Sequence, residues 1–246
     1  MSHDIVLIAG ASSDIGIALI RRLLKSPGTV ILAHHNTSVD RIKICQDESG
    51  GERIHPFQCD FAASDAIGET MDRLIDQFGV PNKIVYLPAL RLRYERFTKF
   101  NVEHFNRDMN IQILAAILIL KKLLPTMSKL ARARVVFLLS SVVHGVPPKF
   151  LSMYTLIKHA QLGLMRALAV EYAATGVTVN AVSPSMVETR FLDDVPDLVK
   201  QMSASHSPKG RNALPEDLLG AIELLLSDES DFITGVDIPV TGGSAF

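Results

Sequence analysis

Three residues of this chain have side chains and spacing suited to proton transfer: Ser141, Tyr154 and Lys158. Residues 151–174 have the periodicity of a helix, so Tyr154 and Lys158, four positions apart, lie on one face. A phenol has a pKa near 10. Lowering that pKa to near neutrality takes about 3 units, or about 4 kcal/mol, in favour of the phenolate, and a neighbouring ammonium would supply this. Ser141 follows the strand-like run Val135–Leu139 and could donate to a substrate oxygen. The trio predicts carbonyl or alcohol chemistry, although a Tyr-x-x-x-Lys pair alone also arises by chance.

A glycine-containing turn near the start of the chain predicts a phosphate site. The apolar run Asp4–Ala9 resembles a buried strand, and Gly10-Ala-Ser-Ser-Asp-Ile-Gly16 leads from it into the helical stretch Ile15–Lys25. Small residues let a pyrophosphate approach the backbone, and free amides at a helix start attract its charge. The candidate cofactor ligands here are Gly10, Ser12, Ser13, Asp14, Ile15 and Gly16. The pattern Gly-x-Gly-x-x-Gly is absent, so the turn alone is weak support.

Apolar strand-like runs alternate with longer helical patterns along the whole chain. The runs are Asp4–Ala9, Thr29–His34, Arg53–Gln58, Lys83–Leu87, Arg134–Leu139, Val177–Ala181 and Val236–Val240. This alternation predicts an α/β fold with a doubly wound, seven-stranded parallel sheet flanked by helices, a Rossmann fold. The length of 246 residues suits one domain over 1–246. We expect dinucleotide binding in its N-terminal half, and the catalytic residues and a substrate lid in its C-terminal half.

Composition excludes several other classes of function. The formal charge of −1 lacks the excess of positive charge that is typical of proteins that bind nucleic acid or an anionic membrane. The longest apolar stretch, Ile113–Leu120, is far short of a bilayer span. The start, Met1-Ser-His-Asp, has no basic region typical of a signal peptide. Cys45 and Cys59 lack metal-ligand spacing, and we expect reduced thiols, a cytoplasmic location and no metal.

Taken in order, these motifs resemble the short-chain dehydrogenase/reductase family in its single-domain form, and 3-oxoacyl-thioester reductases in particular. The resemblance covers almost the whole chain. It rests on Gly10 to Gly16, Asp60, Asn110, Ser141, Tyr154, Lys158, Asn180-Ala-Val-Ser-Pro184, Thr189, Thr234-Gly235 and Gly242-Gly243. It implies an NAD(P)-dependent oxidoreductase with four catalytic residues. Tyr154 would be the general acid/base, Lys158 would lower its pKa and hold the nicotinamide ribose, Ser141 would orient the carbonyl, and Asn110 would place a water in the proton relay.

The same resemblance extends the set of cofactor residues. It implies contacts from Asp60, Phe61, Leu87, Pro88, Ala89, Pro184, Val187 and Thr189, besides Tyr154 and Lys158. Three positions depart from the family. Asp14 replaces a glycine, and we expect it to cap the first helix. Tyr86-Leu-Pro-Ala89 replaces Asn-Asn-Ala-Gly, so either the backbone is held another way, with Pro88 adding stiffness, or cofactor binding is degraded; the matching catalytic residues favour the first. Ser185 replaces a glycine, which is a mild change.

The choice of cofactor should be decided after the second strand. NAD enzymes commonly place a carboxylate there to accept from the ribose 2′-hydroxyl, whereas this chain has His35. Possible donors to a 2′-phosphate are His34, His35, Asn36, Thr37, Ser38 and Arg41. NADP(H) is therefore favoured over NAD(H), although Ser13 lacks the positive charge that many NADP-dependent relatives carry. The alternative for His34 and His35 is that they only lie at a solvent-exposed strand end and do not contact the cofactor.

The leading hypothesis is a ketoreductase that acts on a small carbonyl or alcohol substrate. Within that class a 3-oxoacyl thioester is the expected substrate. The alternatives are an NAD-linked alcohol or sugar dehydrogenase, and a catalytically silent nucleotide-binding regulatory protein. Apolar residues in 190–211 predict a lid that closes over an apolar substrate or simply packs onto the domain. Apolar faces around Ile111–Leu124 and Ser152–Ala174 predict a homo-oligomer, a tetramer.

Overall fold

A computed structural model describes residues 4–245 of the protein. Met1, Ser2 and His3, where the sequence lacks a basic signal-peptide start, and Phe246 lie outside the described residues. Seven strands form one sheet: β1 (Ile5–Ala9), β2 (Val30–His35), β3 (Ile54–Gln58), β4 (Lys83–Tyr86), β5 (Ala133–Leu138), β6 (Val177–Pro184) and β7 (Asp237–Val240). Their order is β3-β2-β1-β4-β5-β6-β7, and every neighbouring pair is parallel. The predicted doubly wound parallel sheet is confirmed.

The strands form where the sequence has apolar runs because both faces of the sheet are covered. In β1, residues Val6 to Ala9 are all buried, and alternate residues enter two separate apolar clusters. The predicted strand bounds hold to within about one residue, except at β6. This strand extends beyond Ala181 to Pro184, because Ser183 and Pro184 pair with Pro239 and Val240 of β7.

The described residues contain eight α-helices. They are α1 (Asp14–Leu23), α2 (Asp40–Glu48), α3 (Asp65–Phe78), α4 (Val102–Met109), α5 (Ala115–Met127), α6 (Ser152–Glu171), α7 (Asp197–His206) and α8 (Pro215–Leu226). Helix α1 packs between α2 and α8 on one face, whereas α3, α5 and α6 contribute to the cluster on the other face. The carboxyl ends of the strands therefore meet at one edge of the sheet, where open α/β folds bind ligands.

A π-helix, Asn110–Leu114, joins α4 to α5. Together they form the helical stretch Val102–Met127, which by length and composition alone could cross a membrane. In the fold its α5 part is a core helix, with Ala115, Ile119 and Leu123 buried in the cluster between α3, α6 and the sheet. The apolar composition of this stretch is explained by that packing.

Candidate active site

Tyr154 and Lys158 lie one turn apart at the start of α6. The Lys158 Nζ is 5.7 Å from the centroid of the Tyr154 ring. This ammonium is buried, and it donates to the carbonyl of Leu138 at 3.0 Å and to the Oε1 of Gln161 at 2.9 Å. Because Leu138 ends β5, the lysine ties α6 to the carboxyl edge of the sheet. The spacing of the two residues thus places a phenol and an ammonium side by side, as proton transfer requires.

Burial dominates the protonation of this pair. It raises the pKa of Tyr154 well above 10, against a smaller lowering by a hydrogen bond with Ser140. It lowers the pKa of Lys158 to about 8, opposed by the negative charge of Asp108. The expected near-neutral phenol is therefore wrong for the protein alone. Tyr154 is a protonated phenol beside a largely protonated amine at neutral pH, which is the state needed to donate a proton.

Ser140 and Ser141 both lie beside Tyr154, and the predicted role of Ser141 in orienting the carbonyl stays a prediction. Ser140 follows β5 with extended backbone angles, its side chain is almost fully buried, and its hydroxyl bonds with Tyr154. Ser141 begins the short 3₁₀ turn Ser141–Val143 and also lines the cavity beside the tyrosine. Both serines therefore place a hydroxyl on the cavity wall near Tyr154, and the sequence analysis had named only Ser141.

The turn between β1 and α1 has the shape of a phosphate cradle. Gly10 has φ of +76°, and a Cβ there would lie 3.2 Å from the backbone nitrogen of Pro88. A Cβ on Gly16 would lie 2.5 Å from the carbonyl oxygen of Ala11, so the helix start can approach the strand only with glycine. Ser13 caps α1 by accepting from the Gly16 amide at 3.1 Å. These features fit a pyrophosphate at the helix start.

The expected capping role of Asp14 is wrong, because Ser13 takes that position. Asp14 instead joins two arginines that are distant in sequence. Its carboxylate is 2.7 Å from Arg41 at the start of α2 and accepts from the backbone amide of Arg190 at 2.8 Å. Both guanidinium groups also donate to the carbonyl of Ser12. Asp14 thus fastens the segment after β6 to the glycine turn.

A cavity of about 750 Å³ runs from this turn to Tyr154 and Lys158. Twelve of the predicted site residues line it: Gly10, Ser13, Asp14, Ile15, Leu87, Ala89, Ser141, Tyr154, Lys158, Pro184, Val187 and Thr189. A cavity of this size, with a phosphate cradle at one end and a proton donor at the other, fits an extended dinucleotide together with a small substrate. The other eight predicted residues do not line it: Ser12, Gly16, His35, Asn36, Asp60, Phe61, Pro88 and Asn110.

Comparison with known proteins agrees with this geometry. The family profile described as enoyl-(acyl carrier protein) reductase matches residues 10–245. The chain belongs to the short-chain dehydrogenase/reductase family. As a member of that family it is an NAD(P)-dependent oxidoreductase.

Relatives of this short-chain dehydrogenase/reductase match it over nearly their full length. It is 28% identical to the cis-4-hydroxycyclohexanecarboxylate dehydrogenase of Sinomonas cyclohexanicum, covering 98% of this chain and 96% of the relative. It is 28% identical to the acetoacetyl-CoA reductase of Allochromatium vinosum, with 97% of each chain covered. The solved structure of ElxO with NADP bound has a TM-score of 0.87 and 25% identity, with 99% of each chain covered.

Asn110 lies in the π-helix, and its implied role of placing a water in the proton relay stays a prediction. Its side-chain amide donates to the carbonyl of Ala62 at 3.4 Å, and Asn110 does not line the cavity. Lys158 is linked instead to Gln112, two positions after Asn110. Lys158 donates to the side chain of Gln161, which in turn donates to the carbonyl of Gln112 at 3.0 Å. The sequence missed Gln112 and Gln161, since polar residues inside apolar helices only interrupt the periodic pattern.

Tyr86 explains how the chain replaces two asparagines of its family. The tyrosine is fully buried, its ring packs near Phe61 and Phe137, and its hydroxyl donates to the carbonyl of Ile111 in the π-helix. The end of β4 is therefore held to the π-helix by a side chain rather than by the stiffness of Pro88 alone. This keeps Leu87 and Ala89 on the wall of the cavity.

The two histidines at the end of β2 do not supply a positive charge. His34 is buried, its Nδ1 accepts from the Gly10 amide at 3.0 Å, and its Nε2 donates to the carbonyl of Cys59 at 2.8 Å. Burial lowers its pKa to about 4, so the expectation that His34 donates to a 2′-phosphate is wrong. Burial and Lys43 also lower the pKa of His35. Phe61 stacks on His34 at 3.8 Å, so its ring belongs to the core.

Proposed function

We propose that the protein is an NADPH-dependent ketoreductase for apolar carbonyl compounds, including 3-oxoacyl thioesters, with Tyr154 as the general acid. The observation that carries this proposal is the partly buried phenol of Tyr154, with the ammonium of Lys158 5.7 Å from its ring, at the end of a cavity that begins at a phosphate cradle. Because burial raises its pKa, the phenol holds at neutral pH the proton that carbonyl reduction consumes. A catalytically silent protein would have no need of this buried pair.

A nicotinamide cofactor held in this cavity would supply the hydride for the carbonyl carbon, and the side chains of this chain position the carbonyl oxygen and give it its proton. The hydroxyls of Ser140 and Ser141 hold the carbonyl oxygen, and Tyr154 gives that oxygen its proton. The ammonium of Lys158 stabilises the phenolate that remains, because opposite charges interact strongly in a buried site. The cradle at Gly10, Ser13 and Ile15 would hold the pyrophosphate.

The substrate end of the cavity is apolar. Leu92, Val142, Leu151, Leu192 and Val195 form a buried cluster between the 3₁₀ turn after β5 and the segment after β6. Phe191, Val199 and Met202 of that segment line the cavity itself. The segment packs onto the domain, and its apolar side chains on the cavity wall support the proposal that it closes over an apolar substrate. The apolar part of this wall would exclude water around an acyl chain and would not satisfy the hydroxyls of a polyol packed against it.

A comparison of two substrates tests this proposal. Purified protein with NADPH is given an acetoacetyl thioester or a polar sugar ketone, and oxidation of NADPH is followed by its absorbance. We expect a higher kcat/KM for the thioester. Faster reduction of the sugar ketone would remove the acyl hypothesis, whereas no reduction of any ketone in a broad panel would contradict the ketoreductase assignment.

The proposed preference for NADPH rests on Arg41 rather than on the histidines. Its guanidinium lies beside the glycine turn, where it contacts Asp14 and the carbonyl of Ser12. A positive group there suits a 2′-phosphate, and no carboxylate occupies position 35. Titration of each cofactor into the protein should give tighter binding of NADPH. His35→Asp should shift the preference toward NADH, and equal affinities in the unmodified protein would contradict the proposal.

We also propose a cytoplasmic homo-oligomer, with a tetramer as the expected state. Leu114 and Ile117 of the π-helix and α5, together with Leu156 and Val170 of α6, are exposed apolar side chains on the two helices predicted to form an interface. A symmetric assembly would bury them. Sedimentation at micromolar concentration tests this, and a single monomeric species would contradict it.

A further inference from the structure

The ammonium of Lys158 is held by a side-chain bridge inside the protein. Gln161 lies on the next turn of α6 and is almost fully buried. Its Oε1 accepts from Lys158 Nζ at 2.9 Å, and its Nε2 donates to the carbonyl of Gln112 at 3.0 Å. One carboxamide therefore connects the lysine to the π-helix and satisfies a donor and an acceptor that burial removes from water.

The π-helix makes this connection possible. In a π-helix the carbonyl bonds to the amide five residues on, as Asn110 does with Ala115, and such turns often mark functional sites. Two successive carbonyls of this turn receive side chains, since Ile111 accepts from Tyr86 and Gln112 accepts from Gln161. The turn is thereby fixed from β4 on one side and from α6 on the other.

The bridge continues to a buried carboxylate. The side-chain amide of Gln112 donates to Asp108 Oδ1 at 2.7 Å, and the Leu90 amide donates to the same oxygen at 3.2 Å. Asp108 raises the pKa values of both Lys158 and Tyr154. The charged or titratable groups that act on the pair are Asp108 from α4 and Tyr94 from the segment after β4. The network therefore places a negative charge behind the ammonium.

We propose that Gln161 is a positioning residue for catalysis, which holds the protonated Lys158 toward Tyr154 by bridging it to the Gln112 carbonyl. This proposal rests on the proposed roles of Tyr154 and Lys158. Without the bridge, the ammonium keeps only the Leu138 carbonyl, and burial then favours the neutral amine. A carboxamide does not titrate, so the bridge fixes the position and charge of Lys158 without itself carrying the proton.

Gln161→Leu and Gln161→Glu test the proposal in opposite directions. Leucine resembles glutamine in size but cannot bridge, so kcat should fall about tenfold with little change in substrate KM. The alkaline limb of the pH profile should move to lower pH, because Lys158 loses its proton earlier. Glutamate keeps the acceptor and adds a negative charge, so the same limb should move to higher pH. His159→Ala, an exposed neighbour on α6, is the control and should leave both parameters unchanged.

Gln161→Ala distinguishes the bridge from simple packing. Alanine leaves room for a water to connect Lys158 to the Gln112 carbonyl, so this variant should keep more activity than Gln161→Leu although it is less stable to heat. If the residue only fills space, leucine would exceed alanine in both stability and kcat, and the proposal would be overturned. An unchanged pH profile in Gln161→Leu would overturn it equally.

Cofactor affinity provides a readout independent of turnover. NADPH binding, followed by fluorescence against pH, should weaken at a lower pH in Gln161→Leu than in the unmodified protein, since the proposed lysine contact to the ribose needs the ammonium. The same pH dependence in both proteins would contradict the bridge. Full activity in Tyr154→Phe would instead refute the proposed function, and the binding measurement keeps these two failures separate.

Discussion

Replacing Arg41 with glutamine should weaken the binding of NADPH selectively. The guanidinium is about one-third exposed, lies 2.7 Å from Asp14 and donates to the Ser12 carbonyl at 3.2 Å. It is thus already placed beside the glycine turn, and a 2′-phosphate there would take over its hydrogen bonds. Glutamine keeps a donor for the Ser12 carbonyl but removes the positive charge.

The size of the effect follows from two opposing contributions. A hydrogen bond between charged groups stabilises by about 1.5–3 kcal/mol. Part of this is offset because Arg41 gives up a partly exposed ion pair with Asp14, of the kind that contributes about 0.2–1 kcal/mol. The remaining loss is about 1–2 kcal/mol, which raises the Kd for NADPH by about 5–30-fold.

Fluorescence titration of both reduced cofactors measures this effect, with NADH as an internal reference because it has no 2′-phosphate. The Kd for NADH should change less than twofold, by about 0.4 kcal/mol or less. Arg21→Gln is a matched control, since Arg21 is an exposed arginine of α1 paired with Glu48 at 2.9 Å. Equal weakening of NADPH and NADH, or an unchanged Kd for NADPH, would refute the assignment of Arg41 to the 2′-phosphate.

Three further predictions concern the catalytic end of the cavity. Ser140→Ala should lower kcat for reduction more than Ser141→Ala, because the Ser140 hydroxyl bonds with Tyr154. Steady-state kinetics of both variants measure this, and they would show the reverse order if Ser141 alone holds the carbonyl. Tyr86→Phe should lower the free energy of unfolding by about 1–3 kcal/mol, because it leaves the Ile111 carbonyl without its donor. Urea unfolding measures this, and a loss below about 0.5 kcal/mol would show that the hydrogen bond adds little to stability. Reduction should decline on the alkaline side with an apparent pKa near 8, where Lys158 loses its proton, and a flat rate profile up to pH 10 would contradict that assignment.

The sheet was predictable because buried parallel strands require continuous apolar runs. Each predicted run corresponds to a strand, and the helical spacing of Tyr154 and Lys158 correctly placed both at the start of α6. These features depend on local sequence, since periodicity and side-chain direction follow from the backbone geometry of each element.

The contacts that long-range packing creates were not predictable. Asp14 bonds to the amide of Arg190, which is 176 positions away, so its local resemblance to a helix cap was misleading. The burial of His34 depends on Phe61 stacking on its ring, and a strand-end histidine gives no local sign of this. The bridge through Gln161 requires a π-helix, whose register shift no apolar pattern indicates.

Turnover by Tyr154→Phe tests the central claim most directly. The substitution removes the transferable proton and keeps the ring that packs near Phe191. We expect kcat for ketone reduction to fall by about 10²–10⁴-fold, with NADPH affinity nearly unchanged. Tyr94→Phe, which removes a hydroxyl from another tyrosine lining the same cavity, should keep most of its activity. Near wild-type turnover by Tyr154→Phe on an accepted ketone would contradict the assignment of Tyr154 as the general acid.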